Sequence, residues 1–144
     1  VFTKLDVERV DFDQLLERAD FISIHTPLTE DTRNLFGQNA FKQMKPEALL
    51  INTARGPLVD IDALAQALEA GEIAGAALDV LPQEPPPDDC PLFGRDDIIL
   101  TPHTGFYSTD ALLDLQTTVA TDVASVLNGE FPRFPVNPEV RDPK

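Results

Sequence analysis

The sequence has only one cysteine, Cys90, and only two histidines, His25 and His103. A single thiol cannot form an internal disulfide, which favours a reducing compartment, and we expect a cytoplasmic protein. The two histidines lie far apart in sequence, and with a single thiol they offer no spacing typical of zinc ligands. The sequence therefore predicts no metal site.

Basic residues and long apolar runs are also scarce. Eleven lysines and arginines stand against 25 aspartates and glutamates, which gives a formal net charge of −14. This balance argues against attraction to phosphate backbones or anionic lipid, so we expect no nucleic acid partner. No apolar run approaches the ~20 residues that span a bilayer, so we expect no membrane partner. The acidic excess is explained by solubility alone and does not indicate a substrate.

Apolar residues recur with helical and strand periodicities that alternate along the chain. Predicted helices cover residues 11–19, 39–45, 60–70 and about 109–128, and predicted strands cover residues 20–25, 48–52, 74–80 and 98–101. Strands that are apolar throughout are typical of a parallel sheet covered on both faces. Right-handed helical crossovers then give an α/β fold, a partial doubly wound parallel sheet with helices on both faces. Ligands of such sheets bind at the carboxyl ends of the strands.

An arginine follows the second predicted strand at such a position. Arg55 precedes Gly56-Pro57, which restrict the backbone and hold the cation in place. Its planar guanidinium can donate two parallel hydrogen bonds to a carboxylate. A surface ion pair at the start of the next helix is the alternative explanation.

The third and fourth predicted strands are followed by further titratable residues. Asp79 ends the third strand, Glu84 follows it between prolines, and His103 follows the fourth strand. Taken singly, these are explained as a turn cap, an exposed loop acid and a structural histidine. Because neighbouring strand ends share one edge of the sheet, Arg55, Glu84 and His103 together form a candidate catalytic constellation.

Four segments resemble the successive motifs of the NAD-dependent D-2-hydroxyacid dehydrogenases. They are residues 20–29, residues 50–60 with NTARGPLVD, residues 75–85 with LDV and a following EP, and residues 101–108 with TPH. They occur in the family's order and at its intervals, and they span nearly the whole chain. The resemblance implies a Rossmann-type fold and, in a homodimer, hydride transfer between NAD and a small 2-hydroxy or 2-oxo acid substrate.

The resemblance also implies residue roles. Arg55 would bind the substrate carboxylate, His103 would exchange a proton with the substrate oxygen, and Glu84 would hold the imidazole. The implied cofactor-binding residues are Thr26 and Pro27 along the adenosine half, Thr53, Ala54 and Arg55 on the nicotinamide side, Asp79 near the carboxamide, and His103, Thr104 and Gly105 beside the ring.

The glycines depart from the family pattern. None of the seven glycines form GxGxxG, and no acidic residue lies ~20 residues beyond such a motif to bind a ribose. The family places that motif ahead of the segment resembling residues 1–11, and the chain starts with Val1 instead of Met. We therefore expect residues 1–144 to be a fragment of the NAD-binding domain, inactive alone, without its first βαβ unit. Its helix at 109–128 would lead back to a missing substrate domain.

Two features of the last segment suggest other roles. The aromatic pair Phe106-Tyr107 is similar to the C-terminal-binding-protein branch, whose animal members are NAD-sensing transcriptional corepressors. The alternative function is thus an NAD(H)-sensing, partner-binding protein. The last predicted helix also carries an apolar stripe, which predicts self-association of the fragment. Its residues are Leu112, Leu115, Val119, Val123 and Val126.

Overall fold

The structure is a computed structural model that describes residues 7–137, and these divide into two units, residues 7–105 and 106–137. The first unit contains all four strands, and the second contains the longest helix. The elements of the first unit are α1 (Phe12–Arg18), β1 (Phe21–Ile24), α2 (Gln38–Phe41), β2 (Leu49–Asn52), a 3-10 helix (Gly56–Leu58), α3 (Ile61–Ala70), β3 (Gly75–Leu78) and β4 (Ile98–Leu100). The second unit contains α4 (Thr109–Leu127).

The four strands form a parallel sheet in the order β1-β2-β3-β4. The strands are in register, so their last rows are level: Ile24 pairs with Asn52, Asn52 with Leu78, and Leu78 with Leu100. All four following loops therefore leave from one edge, which we call the carboxyl edge. The predicted parallel sheet is confirmed.

The helices of the first unit lie on one face of this sheet. Ile22, Leu50 and Leu78 point toward them and are buried in one core, whereas Phe21 and Ile99 point the other way and are 70% and 65% exposed. α2 contacts both α1 and α3, as right-handed crossovers require when strand order follows chain order. The predicted fold has helices on both faces of the sheet, and residues 7–105 contain one of these two layers. Right-handed crossovers place helices on the second face only where the strand order reverses, and the order β1-β2-β3-β4 contains no reversal.

The helix ends follow the local sequence. Asp60 caps α3 by accepting a hydrogen bond from the Ala63 amide at 3.0 Å, and Gly71 ends it in the left-handed conformation with φ 67°. α2 is shorter than predicted, since it ends at Phe41 and gives way to turns. Pro46 explains the difference, because the residue before a proline disfavours helical geometry.

The second unit is described by its helix. The Ser108 hydroxyl caps α4 by accepting from the Ala111 amide at 3.1 Å, and Gly129 follows the helix with φ 80°. No residue of α4 is buried. Among residues 7–137, every helix is too short or too polar to cross a bilayer.

Candidate active site

The loop after β2 presents Arg55 at the carboxyl edge. Asn52, the last residue of β2, is fully buried, and its side chain bonds the loop twice: Oδ1 accepts from the Ala54 amide at 3.0 Å, and Nδ2 donates to the Arg55 carbonyl at 2.9 Å. Pro57 lies in the 3-10 helix that follows. The Arg55 side chain is exposed, and its Nη1 donates to the Ala54 carbonyl at 2.7 Å. The backbone is thus fixed while the cation reaches the surface.

Glu84 and His103 form a hydrogen-bonded pair between the loops after β3 and β4. Glu84 Oε2 lies 2.7 Å from His103 Nδ1, and Glu84 Oε1 accepts from the Leu81 amide at 2.9 Å. The bond from His103, and next the Leu81 amide, hold the pKa of Glu84 below its ordinary value. An ionised carboxylate can only accept, so Nδ1 carries the hydrogen in this pair. The imidazole ring is oriented by this contact.

Asp79 organises the loop that carries His103. The residue is 7% exposed, and its carboxylate accepts three hydrogen bonds, from the Thr101 hydroxyl at 2.5 Å and from the amides of Thr104 and Gly105 at 2.8 Å each. The Thr101 bond contributes most to lowering the pKa of Asp79, and the two amides add to it against the effect of burial. The Asp79 carboxylate thus binds residues that precede and residues that follow His103 in the chain.

The backbone of His103 is held in the left-handed region, with φ 55°. Its amide donates to the Asp79 carbonyl at 2.9 Å and to the Thr101 carbonyl at 3.0 Å. Left-handed geometry is unfavourable for residues with a Cβ and persists where surrounding contacts enforce it. Here Asp79 supplies those contacts through both its main chain and its side chain.

The loops carrying Arg55 and Glu84 touch through Gly56. A Cβ built on Gly56 would lie 2.0 Å from the Leu81 carbonyl carbon and 2.4 Å from the Pro82 nitrogen. Such distances are far inside van der Waals contact, so only glycine allows the two backbones to approach. This contact, which we call the Gly56–Leu81 contact, sets how far Arg55 lies from Glu84.

The three predicted catalytic side chains line one pocket. Arg55, Glu84 and His103 border a cavity of about 190 Å³, together with Gly56 and Leu81. A second cavity of about 350 Å³ shares Leu81, Glu84 and His103 and has mostly apolar further lining. That lining includes Phe93, Leu100 and Pro102. A cation, an oriented imidazole and an apolar recess thus lie together at the carboxyl edge.

The other predicted site residues lie along the same edge, with different partners. Thr26 is half-buried and Pro27 exposed after β1, and neither lines the Arg55 pocket. The Thr32 hydroxyl holds this loop by donating to the Pro27 carbonyl at 2.8 Å. Thr53 is exposed, and Ala54 is half-buried with both backbone polar groups bonded.

Sequence reasoning missed two residues that hold these loops, Asn52 and Thr101. Asn52 was visible as an amide side chain ending an apolar strand, where burial requires hydrogen-bond partners. Thr101 had no such signal, because its contact with Asp79 spans 22 positions and depends on the paired strands.

Residues 1–105 match a family model described as D-isomer specific 2-hydroxyacid dehydrogenase, NAD binding domain. The chain belongs to this family. The match ends at Gly105, the last residue bonded to Asp79, so the D-2-hydroxyacid dehydrogenase segment includes every loop of the candidate site.

Relatives with assigned names share this segment. A glyoxylate reductase of Thermofilum pendens is 46% identical over 135 residues, which are 94% of this chain and 40% of that protein. A D-3-phosphoglycerate dehydrogenase of Methanocaldococcus jannaschii is 44% identical over 138 residues, covering 95% of this chain and 26% of that protein. The chain therefore spans less than half the length of these D-2-hydroxyacid dehydrogenases.

A solved relative confirms the fold. The D-lactate dehydrogenase of Lactobacillus jensenii, crystallised with NAD+, is 39% identical and superposes with a TM-score of 0.80, covering 88% of this chain and 42% of that one. The predicted Rossmann-type D-2-hydroxyacid dehydrogenase fold is thus confirmed by both sequence and structure.

Proposed function

We propose that the protein containing this chain is an NAD-dependent oxidoreductase that transfers a hydride between NAD(H) and a small D-2-hydroxy acid or 2-oxo acid. The observation that carries the proposal is the convergence of Arg55, Glu84 and His103 on one pocket at the carboxyl edge. The names of the relatives support the substrate class, since glyoxylate, lactate and 3-phosphoglycerate are all 2-oxo or 2-hydroxy acids.

Arg55 binds the carboxylate that all such substrates share. Its guanidinium can form two parallel bonds to a carboxylate, and its positive charge also favours the negative charge that develops on the 2-oxo oxygen. The guanidinium donates at Nη1 to the carbonyl of Ala54 in its own loop, and among residues 7–137 it forms no ion pair with an acidic side chain. A substrate carboxylate fills that role.

His103 exchanges the proton at the substrate oxygen. With Nδ1 directed at Glu84, proton exchange takes place through Nε2, on the opposite side of the ring. Glu84 fixes this tautomer and stabilises the imidazolium, since it is an ionised carboxylate with a lowered pKa. The pair acts as acid in reduction and as base in oxidation.

The residues present fit the nicotinamide end of NAD. Asp79 accepts three hydrogen bonds, whereas a carboxylate has about four acceptor sites. Its Oδ2, which accepts one bond, can accept another from an amide such as the carboxamide. When bound, the cofactor supplies the hydride acceptor or donor. The GxGxxG pyrophosphate motif is absent from residues 1–144, so another part of the protein holds that end.

Several broader features belong to the same proposal. We propose that the 144 residues are part of an NAD-binding domain, that the protein is a homodimer and that it is cytoplasmic. The corepressor-like alternative rests on Phe106-Tyr107 alone, and the relatives named above, which are reductases and dehydrogenases, do not favour it.

The test is reduction of a panel of 2-oxo acids by the full-length protein with NADH, beside an Arg55→Ala variant. We expect Arg55→Ala to lower kcat/KM about 10³-fold, since a charged bond to the transition state is worth several kcal/mol. Arg18→Ala is the matched control, because Arg18 lies just before β1 at the opposite edge and pairs with Glu8 on the surface. Tight NADH binding without reduction of any panel member would instead support the cofactor-sensing alternative.

A further inference from the structure

The fully buried side chain of Asn52 bonds the loop that carries Arg55, and these bonds are not part of the pairing between strands. Its backbone carbonyl already takes part in the sheet, accepting from the Asp79 amide at 2.9 Å. The amide group instead turns toward the next loop and bonds it at two points on either side of the Ala54–Arg55 peptide. A polar group buried at 0% exposure is tolerated because both of its ends are paired.

The two bonds fix the orientation of the Asn52 amide without ambiguity. The Ala54 amide can only donate and the Arg55 carbonyl can only accept, so Oδ1 must face the former and Nδ2 the latter. The Arg55 carbonyl also accepts from the Leu58 amide at 3.2 Å. The main chain of Arg55 is therefore held from the sheet on one side and from the 3-10 helix on the other.

We propose that Asn52 is a positioning residue for substrate binding. It acts through Arg55, by fixing the main-chain position from which the guanidinium-bearing side chain extends. The inference rests on the proposed function, since it assigns Asn52 an effect on the carboxylate that Arg55 binds. The long arginine side chain is exposed, so its own packing does little to place it. The position of the guanidinium therefore depends on the main chain of Arg55, which the two hydrogen bonds from Asn52 hold in place. Asn52 touches neither substrate nor cofactor in this role.

The experiment uses the full-length protein and measures the dissociation constant of oxamate, a carboxylate-bearing analogue of 2-oxo acids, from the NADH-bound form. We expect Asn52→Ala to weaken oxamate binding about 10- to 100-fold, as misplacement of a binding group by about 1 Å does. NADH binding, measured by its fluorescence, should stay within about twofold of the unmodified protein, because Arg55 is one of nine implied cofactor-binding residues whereas it alone is assigned the substrate carboxylate.

A double-mutant cycle separates positioning from general damage. In an Arg55→Ala background, Asn52→Ala should weaken oxamate binding by no more than about twofold, since the group it positions is gone. The stability control is Leu16→Ala, which removes a buried side chain of α1 away from the loops and should leave oxamate affinity unchanged. Asn52→Ser is the milder variant if Asn52→Ala does not fold, and its single short hydroxyl should give an intermediate loss.

The outcomes distinguish the two proposals. If Asn52→Ala weakens oxamate binding equally with and without Arg55, or changes NADH and oxamate binding alike, Asn52 has a structural role only and the inference is overturned. If Arg55→Ala itself leaves oxamate binding and 2-oxo acid reduction unchanged, Arg55 does not bind the carboxylate and the inference is overturned with that role. Absence of 2-oxo acid reduction by the unmodified protein would instead overturn the proposed function.

Discussion

His103 combines a reactive side chain with an unfavourable backbone. Its left-handed φ of 55° costs about 1–2 kcal/mol relative to an ordinary conformation. The hydrogen bonds of the Asp79 carboxylate to Thr101, Thr104 and Gly105 surround this residue and offset that cost. The position of the imidazole therefore depends on the ionisation of a neighbouring acid that need not touch the substrate.

Asp79→Asn tests this dependence through the pH profile of stability. An amide keeps one acceptor oxygen but turns an NH2 group toward a backbone amide, so we expect a loss of about 1–3 kcal/mol at pH 7. The Asp79 pKa is lowered in the folded state, so its stabilisation is present above the unfolded pKa of about 3.9 and is lost as pH falls through the folded pKa. The difference between the two proteins should therefore be constant above about pH 5 and shrink below pH 4.

Urea denaturation of the full-length protein between pH 3 and pH 7 measures this difference. Asp31→Asn, which changes an exposed loop acid, is the matched control and should follow the unmodified protein at every pH. A gap between Asp79→Asn and the unmodified protein that stays constant into the acid range would contradict the assignment.

The sequence was sufficient to group Arg55, Glu84 and His103, because parallel strands bring their carboxyl ends to one edge whatever the details of the loops. The hydrogen bonds that hold the loops around these side chains could not be predicted from the sequence. Asp79 was predicted only as a turn cap or a cofactor contact, and its three bonds depend on the fold of a loop more than 20 positions away. Side-chain periodicity carries no information about such loop geometry.

At the scale of elements, two loops from different strands behave as one structure. The Gly56–Leu81 contact joins the loop after β2 to the loop after β3, and Arg55 and Glu84 lie on either side of it. The sequence predicted that Gly56-Pro57 restricts its own loop. It did not predict that the missing Cβ is needed by a second loop, since that contact exists only after β2 and β3 pair.

Gly56→Ala should disrupt this contact. The added Cβ would overlap the Leu81 main chain, so the loops must separate, which we expect to cost about 1–3 kcal/mol of stability and to lower kcat/KM about 10²-fold. Gly37→Ala is the matched control, because its Cβ would meet only the Asn34 carbonyl oxygen, at 3.3 Å. Thermal unfolding and 2-oxo acid reduction by the full-length protein are the measurements, and unchanged turnover in Gly56→Ala would contradict the coupling of the loops.

The order and type of the elements followed from periodicity, and most predicted bounds lie within two residues of those observed. The largest differences are at α2, which ends early ahead of Pro46, and at the 3-10 helix, which was not predicted because three residues are too few to show a periodicity. Periodicity also described the strands as apolar throughout, which is typical of a sheet covered on both faces; within residues 7–137 the apolar side chains Phe21 and Ile99 on the second face are exposed.

At the scale of the whole molecule, apolar surface remains exposed in both units. Phe21 and Ile99 lie on the open face of the sheet, and in α4 the side chains of Val119 and Val123 are more than half exposed. Three residues of the predicted stripe, Val119, Val123 and Val126, border an apolar groove of about 420 Å³ with Pro132 and Phe134. Contiguous apolar surface of this kind is typical of interaction sites.

We therefore expect the isolated 144-residue chain to self-associate. We also expect it to show no turnover, because the GxGxxG motif that binds the pyrophosphate is absent from it. Sedimentation at increasing protein concentration measures the first, and NADH oxidation with glyoxylate measures the second. Val119→Lys with Val123→Lys should reduce the association, whereas Thr117→Lys with Thr121→Lys changes polar positions of the same helix and should not. A monomer at high concentration, or robust reduction by the isolated chain, would contradict these expectations.

The level ends of the four strands limit where the chain can change length. One extra residue within β3 would turn Leu78 from the core to the open face and shift Asp79 by about 3.3 Å along the strand, away from Thr101. At the opposite edge, the turn at residues 71–74 connects α3 to β3 without contributing to the site; Gly71 and Ala74 are exposed there, whereas Ile73 is buried in the core. Insertions beside the exposed Gly71 should therefore be tolerated, whereas changes of length in the loops of the carboxyl edge should be selected against, so that chain length, as well as residue identity, preserves the chemistry.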